Sequence, residues 1–131
     1  MPPVDWIATL VATVSAFVLG GLWYSPVLFA KAWQQDTGLS DEQLNAASKG
    51  TIFGTSFILI GIGAIIFSMF VGPDPELGFA LGAGASVGIA WVAASFGVNY
   101  LFELKGIRLF LINGGYHALQ FVLFGLVFGL M

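Results

Sequence analysis

The sequence has no cysteine and only one histidine among its 131 residues. The absence of cysteine excludes disulfides, iron–sulfur clusters, thiolate zinc sites and a cysteine nucleophile. A single histidine excludes a histidine-rich metal site within one protomer. We therefore expect no metal and no cofactor, since a haem ligated by His117 has no other support in the sequence.

Charge is also scarce, at 8% of the residues against about a quarter in an ordinary soluble domain. Four basic and seven acidic residues give a net charge of −3, which provides no basic surface for a nucleic acid. Hydrophobic residues make up 58% of the chain. This composition excludes a soluble domain, a secreted disulfide scaffold and a disordered chain.

The few charges are clustered and leave four long uncharged stretches, at 6–30, 51–71, 77–102 and 109–131. Each is longer than the roughly 20 residues that a helix needs to cross ~30 Å of hydrocarbon. The sequence therefore predicts an all-α protein, a single domain built as a four-helix transmembrane bundle. We call its predicted helices the first to fourth spans, at about 4–25, 51–71, 77–102 and 107–130. No basic segment precedes the first span, so we interpret it as a retained helix and not a signal peptide.

The connector at 27–50 is predicted to form short amphipathic helices at the membrane interface. Its apolar first half indicates one such helix, which ends at Gly38. A second helix begins at Ser40, where Gln43 three residues later completes a capping box. We interpret the connector as organising the edge of the bundle, with a dedicated docking surface for a partner as the alternative.

All four basic residues fall on one side of the predicted bundle. Lys31 and Lys49 belong to the connector, and Lys105 and Arg108 belong to the turn between the third and fourth spans. The positive-inside rule makes this side cytoplasmic. We therefore expect loops 27–50 and 103–108 in the cytoplasm and both termini in the periplasm or outside the cell.

Small residues recur every four positions and predict close packing between helices. Hydrophobic force between helices is weak in lipid, so association depends on close backbone approach. The first and third spans have the longest rows of small residues, and we expect their contact to be the tightest, within a protomer or across a homo-oligomer. The candidate packing residues are Ala12, Ala16, Gly20, Gly78, Gly82, Gly84, Gly88, Gly125 and Gly129.

Polar residues inside the last two spans form stripes at helical spacing. The stripe on the fourth span consists of Asn113, His117 and Gln120. The stripe on the third span consists of Ser95, Asn99 and Glu103. The short turn makes these spans antiparallel neighbours, and the first span ends on the same side. The expected neighbours are Asn99 with Asn113, Ser95 with His117, and Glu103 with Arg108 as an ion pair. The candidate polar site is therefore Trp23, Tyr24, Ser25, Asn99, Tyr100, Glu103, Asn113, Tyr116, His117 and Gln120.

Two functional hypotheses follow from this polar site. The first is a small oligomeric channel or permease, in which the site is a hydrated pocket for an ion, a proton or a small solute. The second is a non-transporting scaffold or accessory subunit, assembled through glycine-rich helix faces, in which the same groups are hydrogen-bonded glue. A hydrated cavity at Asn99, Asn113 and His117 would favour the first, and dry, mutually bonded groups the second. No catalytic motif is present, so we do not expect an enzyme.

Two weaker patterns accompany the polar site. Asp5, Thr9 and Thr13 line one face of the first span and could extend a route across the bilayer, although threonine hydroxyls often bond to their own helix. The sequence at 21–24 also echoes the sequence at 97–100. The echo fits either a parallel repeat of two hairpins or chance in a sequence of low complexity.

The sequence resembles a family of small bacterial membrane proteins known as domain of unknown function 1761. The resemblance covers essentially the whole chain and rests on the motifs at 21–26, 28–33, 38–40, 99–103 and 111–117. It implies four membrane helices and a bacterial inner-membrane location, and it implies no activity. Its motif positions include most of the polar site and add Pro26.

Overall fold

The structure is a computed structural model that describes residues 3–131, and within this range it contains helices and turns but no β-strand. Its six helices are α1 (Trp6–Trp23), α2 (Ala30–Thr37), α3 (Asp41–Ala46), α4 (Lys49–Val71), α5 (Leu77–Phe102) and α6 (Ile107–Leu130). Helices α1, α4, α5 and α6 are long and apolar enough to cross a membrane. The all-α fold class and the four helices of spanning length are thus confirmed.

Local capping interactions determine where the helices begin and end. The Asp5 carboxylate accepts a hydrogen bond from the Ala8 amide at 2.9 Å and caps the start of α1. At α3, the Ser40 amide donates to Gln43 Oε1 at 2.8 Å, and the Gln43 amide donates to Ser40 Oγ at 3.1 Å. This is the capping box that the sequence predicts. Helix α2 ends at Gly38, whose φ of 76° is a left-handed conformation that glycine adopts without strain.

Helix α6 lies at the centre of the helix packing. It contacts α1, α2, α4 and α5, and its contact with α5 is the most extensive. Within one protomer the first and third spans do not make the tightest contact, because α1 packs on α4 and α6 while α5 packs on α6. A contact between these spans across a homo-oligomer stays a prediction. The short turn after α5 returns the chain directly along that helix, so the neighbour in sequence becomes the neighbour in space.

The backbones of α5 and α6 touch at glycines on both helices. A Cβ atom at Gly84 would overlap the carbonyl oxygen of Phe121, and one at Gly125 would overlap the carbonyl oxygen of Ala80. A Cβ at Gly88 would lie 2.8 Å from the α6 backbone. Such close approach gives dispersion contacts that a larger residue would prevent. We call this surface the glycine contact.

The third span contains two rows of small residues, and only one of them enters the glycine contact. Gly78 and Gly82 were both predicted to pack, but both are exposed, and no helix other than their own approaches them. Within one protomer these two positions therefore do not pack on another helix, because a four-residue spacing alone does not tell which row faces α6. The row that faces α6 is Ala80, Gly84 and Gly88.

The small residues of α1 pack on a different neighbour from the one predicted. Ala12 and Ala16 are fully buried in a core that includes Ala64 and Phe67 of α4 and Phe124 of α6. Small side chains on α1 thus make room for large aromatic rings.

Helix α5 is not a regular α-helix along its whole length. Residues Val87–Ala93 form a π-helical segment, in which Gly88 and Ala93 are buried on the side of α6. The wider turn of a π-helix rotates each residue by less than the 100° of an α-helix. Side chains beyond Ala93 therefore point in directions that a continuous α-helix would not give them.

The glycine contact predicts opposite effects for two otherwise matched substitutions. Gly84→Ala should destabilise the protein by about 1–3 kcal/mol, because its methyl group forces two backbones apart. Gly54→Ala in α4 should leave the stability unchanged or raise it by up to about 1 kcal/mol, because a Cβ atom there meets nothing within 4 Å and alanine favours helix. Reversible unfolding in detergent micelles measures both. Equal effects of the two substitutions would contradict the assigned contact face.

Candidate functional site

The side chain of Asn113 joins three helices near the connector end of the protein. The Tyr24 hydroxyl, at the end of α1, donates to Asn113 Oδ1 at 2.6 Å. Asn113 Nδ2 in turn donates to the hydroxyl oxygen of Tyr100 in α5, also at 2.6 Å. Both ends of the amide are therefore engaged within the protein. We call Tyr24, Asn113 and Tyr100 the amide clamp.

Trp23 attaches α1 to α6 immediately beside the amide clamp. Its indole Nε1 donates to the Ile112 carbonyl at 2.8 Å. The indole ring lies against Gly115, where a Cβ atom would be 3.3 Å from it. The phenyl ring of Phe29 packs on the indole at a centroid distance of 4.8 Å. The absence of a side chain at Gly115 thus gives the indole access to the α6 backbone.

Tyr116 makes a second, buried connection between α6 and α1. Its side chain is buried, and its hydroxyl donates to the Ala16 carbonyl at 2.9 Å. The hydroxyl passes Gly20, where a Cβ would lie 3.1 Å from it. Its ring meets the Tyr24 ring edge to face at 5.6 Å. The phenol therefore bonds to a main-chain oxygen inside the protein and not to solvent.

His117 and Gln120 bond to each other on α6. His117 Nδ1 lies 2.8 Å from Gln120 Oε1, and Gln120 is buried. The imidazole ring stacks on Phe96 of α5 at 4.9 Å. The predicted neighbour of His117 was Ser95, and this was wrong: Ser95 is exposed, and its hydroxyl bonds back to the Trp91 carbonyl. The aromatic ring of Phe96 occupies the place expected for a polar group.

The structure also corrects the predicted pairing of Asn99. The predicted position along α5 was right, because the adjacent residue Tyr100 meets Asn113. The predicted side of the helix was wrong, because the Asn99 side chain does not face α6. Asn99 is exposed and lies outside the amide clamp. The π-helical segment at Val87–Ala93 changes the rotation of α5, which accounts for Tyr100 facing α6 in place of Asn99.

Arg108 does not pair with Glu103 as predicted. Its guanidinium donates to both carboxylate oxygens of Asp36 in α2, from Nε at 2.8 Å and from a terminal nitrogen at 2.6 Å. It also reaches Gln35 Oε1 at 3.3 Å. The prediction was wrong because the turn leaves Glu103 exposed, whereas α2 brings a carboxylate directly to the start of α6. These hydrogen bonds lower the pKa of Asp36 below its ordinary value, with a further contribution from the positive charge of Lys105.

The other predicted polar residues are engaged in local contacts. The Ser25 hydroxyl bonds back to the Leu22 carbonyl at 2.7 Å and belongs to the end of α1. In the N-terminal half of α1, Thr9 Oγ1 donates to the Asp5 carbonyl and Thr13 Oγ1 donates to the Thr9 carbonyl, both at 2.8 Å. These threonines therefore bond to their own helix, which was the alternative to a polar route.

Two cavities lie at opposite ends of the protein, away from the amide clamp. One, of about 420 Å³, is lined by Lys31, Gln34, Gln35, Gly38 and Leu39. The other, of about 220 Å³, includes Asp5, Ser68, Asp74 and Phe128 in its wall. Neither of these two cavities is lined by a residue of the amide clamp or by His117.

The described residues 3–131 contain no group of three or more His, Cys, Asp or Glu side chains placed to bind a metal ion.

Sequence reasoning missed several residues that shape the site. Gly114 and Gly115 belong to the motif at 111–117 but were assigned no role, yet Gly115 lies against Trp23 and Gly114 packs against Ala93. The signal that could have found them is a glycine pair in mid-span directly before Tyr116. Asp36 had no such signal, because its partner is distant in sequence.

The fold and the site together define an all-helical protein with four helices of membrane-spanning length and a polar cluster where three of them meet. The chain matches the family described as Protein of unknown function (DUF1761) over residues 7–129, and it belongs to this family. The resemblance seen in the sequence motifs is thereby confirmed. No curated protein and no solved structure matches the chain.

The amide clamp predicts different effects for the same substitution at two asparagines. Asn113→Leu should destabilise the protein by about 1–3 kcal/mol, because it leaves two tyrosine hydroxyls without their partner. Asn99→Leu should have little effect or a stabilising one, because Asn99 lies on the outer surface. Unfolding in detergent micelles compares the two variants. A loss of stability in Asn99→Leu as large as in Asn113→Leu would refute this assignment.

Proposed function

We propose that this protein is a non-transporting scaffold or accessory subunit of the bacterial inner membrane. The observation that carries the proposal is that the polar side chains Asn113, His117 and Gln120 of α6 are engaged in hydrogen bonds within the protein. Both ends of the Asn113 amide are occupied by tyrosines, and His117 bonds to Gln120. The Asn113 hydrogen bonds hold three helices together, and side chains engaged within the protein have little remaining capacity to bind a passing solute.

The same polar residues give less support to a channel or permease. Transport would be supported by a hydrated cavity at Asn99, Asn113 and His117. Asn99 instead faces outward, and His117 stacks on an aromatic ring. The hydroxyls of Thr9 and Thr13 bond to their own helix, which gives no support to a polar route through the outer half. The channel hypothesis that the sequence suggests is therefore the second candidate.

An outward-facing row of small residues supports assembly with other helices. The row runs the length of α5 up to its last turns, and every member is exposed: Gly78, Gly82, Ser86, Ala90 and Ala94. Small residues at four-residue spacing allow a second helix to approach closely in lipid. We propose that this face serves a homo-oligomer or a partner subunit.

The proposed orientation follows from the basic residues and the aromatic belts. Lys31, Lys49, Lys105 and Arg108 lie at the end of the protein where α1 ends and α6 begins. That end is proposed to be cytoplasmic, with both termini on the periplasmic side. Trp23 and Trp33 near that end, and Trp6 near the other, suit the two membrane interfaces.

Cysteine labelling tests this orientation without interference, because the native chain has no cysteine. Glu76→Cys, in the turn between α4 and α5, should react with a membrane-impermeant maleimide in spheroplasts. Glu42→Cys, in α3, should react only after the membrane is permeabilised. Labelling of Glu42→Cys but not Glu76→Cys in intact spheroplasts would reverse the proposed orientation.

Flux measurements distinguish the scaffold from the channel. Purified protein in liposomes should give no ion or proton flux above that of empty liposomes, and His117→Ala should behave like the native protein. Native gels of mild-detergent extracts should show a stable homo-oligomer or a complex with a partner. A flux that the native protein supports and His117→Ala loses would establish the channel and refute the scaffold.

A further inference from the structure

The connector helix α2 has two faces with different neighbours. Trp33 and Asp36, three residues apart, face the spans: the Trp33 ring lies 6.2 Å from the Tyr24 ring, and Asp36 pairs with Arg108. These contacts place α2 beside the end of α1 and the start of α6. Under the membrane placement proposed above, on which this inference rests, α2 lies at the level of the lipid headgroups.

The other face of α2 forms the wall of the larger cavity. Lys31, Gln34, Gln35 and Gly38 follow the i, i+3, i+4, i+7 spacing of a single helix face, and Leu39 completes the wall. The cavity volume of about 420 Å³ lies within the roughly 300–1,000 Å³ of small-molecule sites. It is an open cavity on the side of the protein proposed to be cytoplasmic.

The donors in this wall suit an anion. Lys31 is exposed, and its ammonium forms no salt bridge with any residue in the described range 3–131. Gln35 uses its Oε1 to accept from Arg108, so its amide nitrogen is the group left to bind a ligand. Lys31 and Gln35 are four residues apart on one helix face, and a lysine with an amide donor at this spacing can bind phosphate oxygens by charge and by hydrogen bonds.

The carboxylates close to the cavity already have partners. Asp36 is held by Arg108, and Asp41 accepts from Gln34 Nε2 at 2.7 Å. The same Gln34 nitrogen also donates to the Leu39 carbonyl at 3.2 Å, which fixes one side of the wall. Lys105 adds positive charge near Asp36. Arg108 and Lys105 thus offset the charge of Asp36, whereas Asp41 is bonded to a neutral amide and keeps its charge. Lys31 carries the positive charge that an anion entering the cavity would meet.

We propose that this cavity binds a phosphate group, supplied by the headgroup of an anionic phospholipid in the cytoplasmic leaflet. Lys31 is its principal cationic contact, and Gln35 is a hydrogen-bond donor. An exposed lysine at this depth is suited to acidic lipids, because the headgroup phosphate and the negative charge of the leaflet both attract its ammonium.

Native mass spectrometry of the purified full-length protein in detergent tests the site. With added phosphatidylglycerol and phosphatidylcholine, the native protein should retain one phosphatidylglycerol in preference to phosphatidylcholine. Lys31→Gln should weaken that binding about fivefold, the effect expected for one lysine near an anionic surface. The matched control is Lys49→Gln, which removes the same charge from a lysine whose ammonium is bonded to the Leu44 carbonyl. This control should leave the preference unchanged.

Two results would overturn the site. They are unchanged binding in Lys31→Gln, and equal weakening in both lysine variants, which would indicate diffuse attraction to anionic lipid. A competition arm with inorganic phosphate identifies the source of the ligand. Displacement of the lipid at millimolar phosphate would assign the cavity to free phosphate, and retention would assign it to the headgroup. Cysteine labelling reports the orientation independently, so failure of the site and failure of the membrane placement are distinguishable.

Discussion

The arrangement of the protein depends on the glycine contact between α5 and α6. At Gly84 and Gly125 each backbone lies so close to the other helix that even a methyl group would overlap a carbonyl oxygen. Helices in lipid gain little from hydrophobic force, so contact of this closeness is a principal source of association. It also places α6 at the centre, where its remaining faces meet α1 and α4.

Polar side chains near the connector end of the helices add hydrogen bonds to this packing. The amide clamp, the Trp23 bond to Ile112 and the Tyr116 bond to Ala16 all attach α1 to the hairpin of α5 and α6. In hydrocarbon, an amide or hydroxyl without a partner is costly, so side chains that satisfy each other favour one relative arrangement of the helices. Because their hydrogen bonds are already formed within the protein, the polar side chains of this cluster can have a purely structural role.

The echo between the sequences at 21–24 and 97–100 has a structural counterpart. Tyr24 and Tyr100, the last residues of the two motifs, bind opposite ends of the Asn113 amide. The echo thus corresponds to a shared contact, whether it arose by repetition or by chance.

The sequence predicted much of the candidate site and failed at identifiable points. Trp23, Tyr24, Asn113, Tyr116, His117 and Gln120 were all named from spacing and depth. Asn99 was named in place of its neighbour Tyr100 as the partner of Asn113, because the π-helical segment cannot be read from a pattern that assumes 100° per residue. Glu103 was paired with Arg108 because they are close in sequence, whereas Asp36 reaches Arg108 only through the folding of the connector. Both errors concern which side chain faces a neighbour, and neither concerns depth.

The sequence by itself determined the helices and their ends. Uncharged stretches of spanning length, caps such as Ser40 with Gln43, and glycine or proline at the turns act locally, so they can be read in order along the chain. Tertiary structure alone decided which helix packs on which. Two rows of small residues on α5 are equivalent in sequence, and only the shape of α6 selects Gly84 and Gly88 over Gly78 and Gly82. Tertiary structure also decided that the polar groups bond to each other, since a hydrogen bond between distant helices depends on positions that no local pattern specifies.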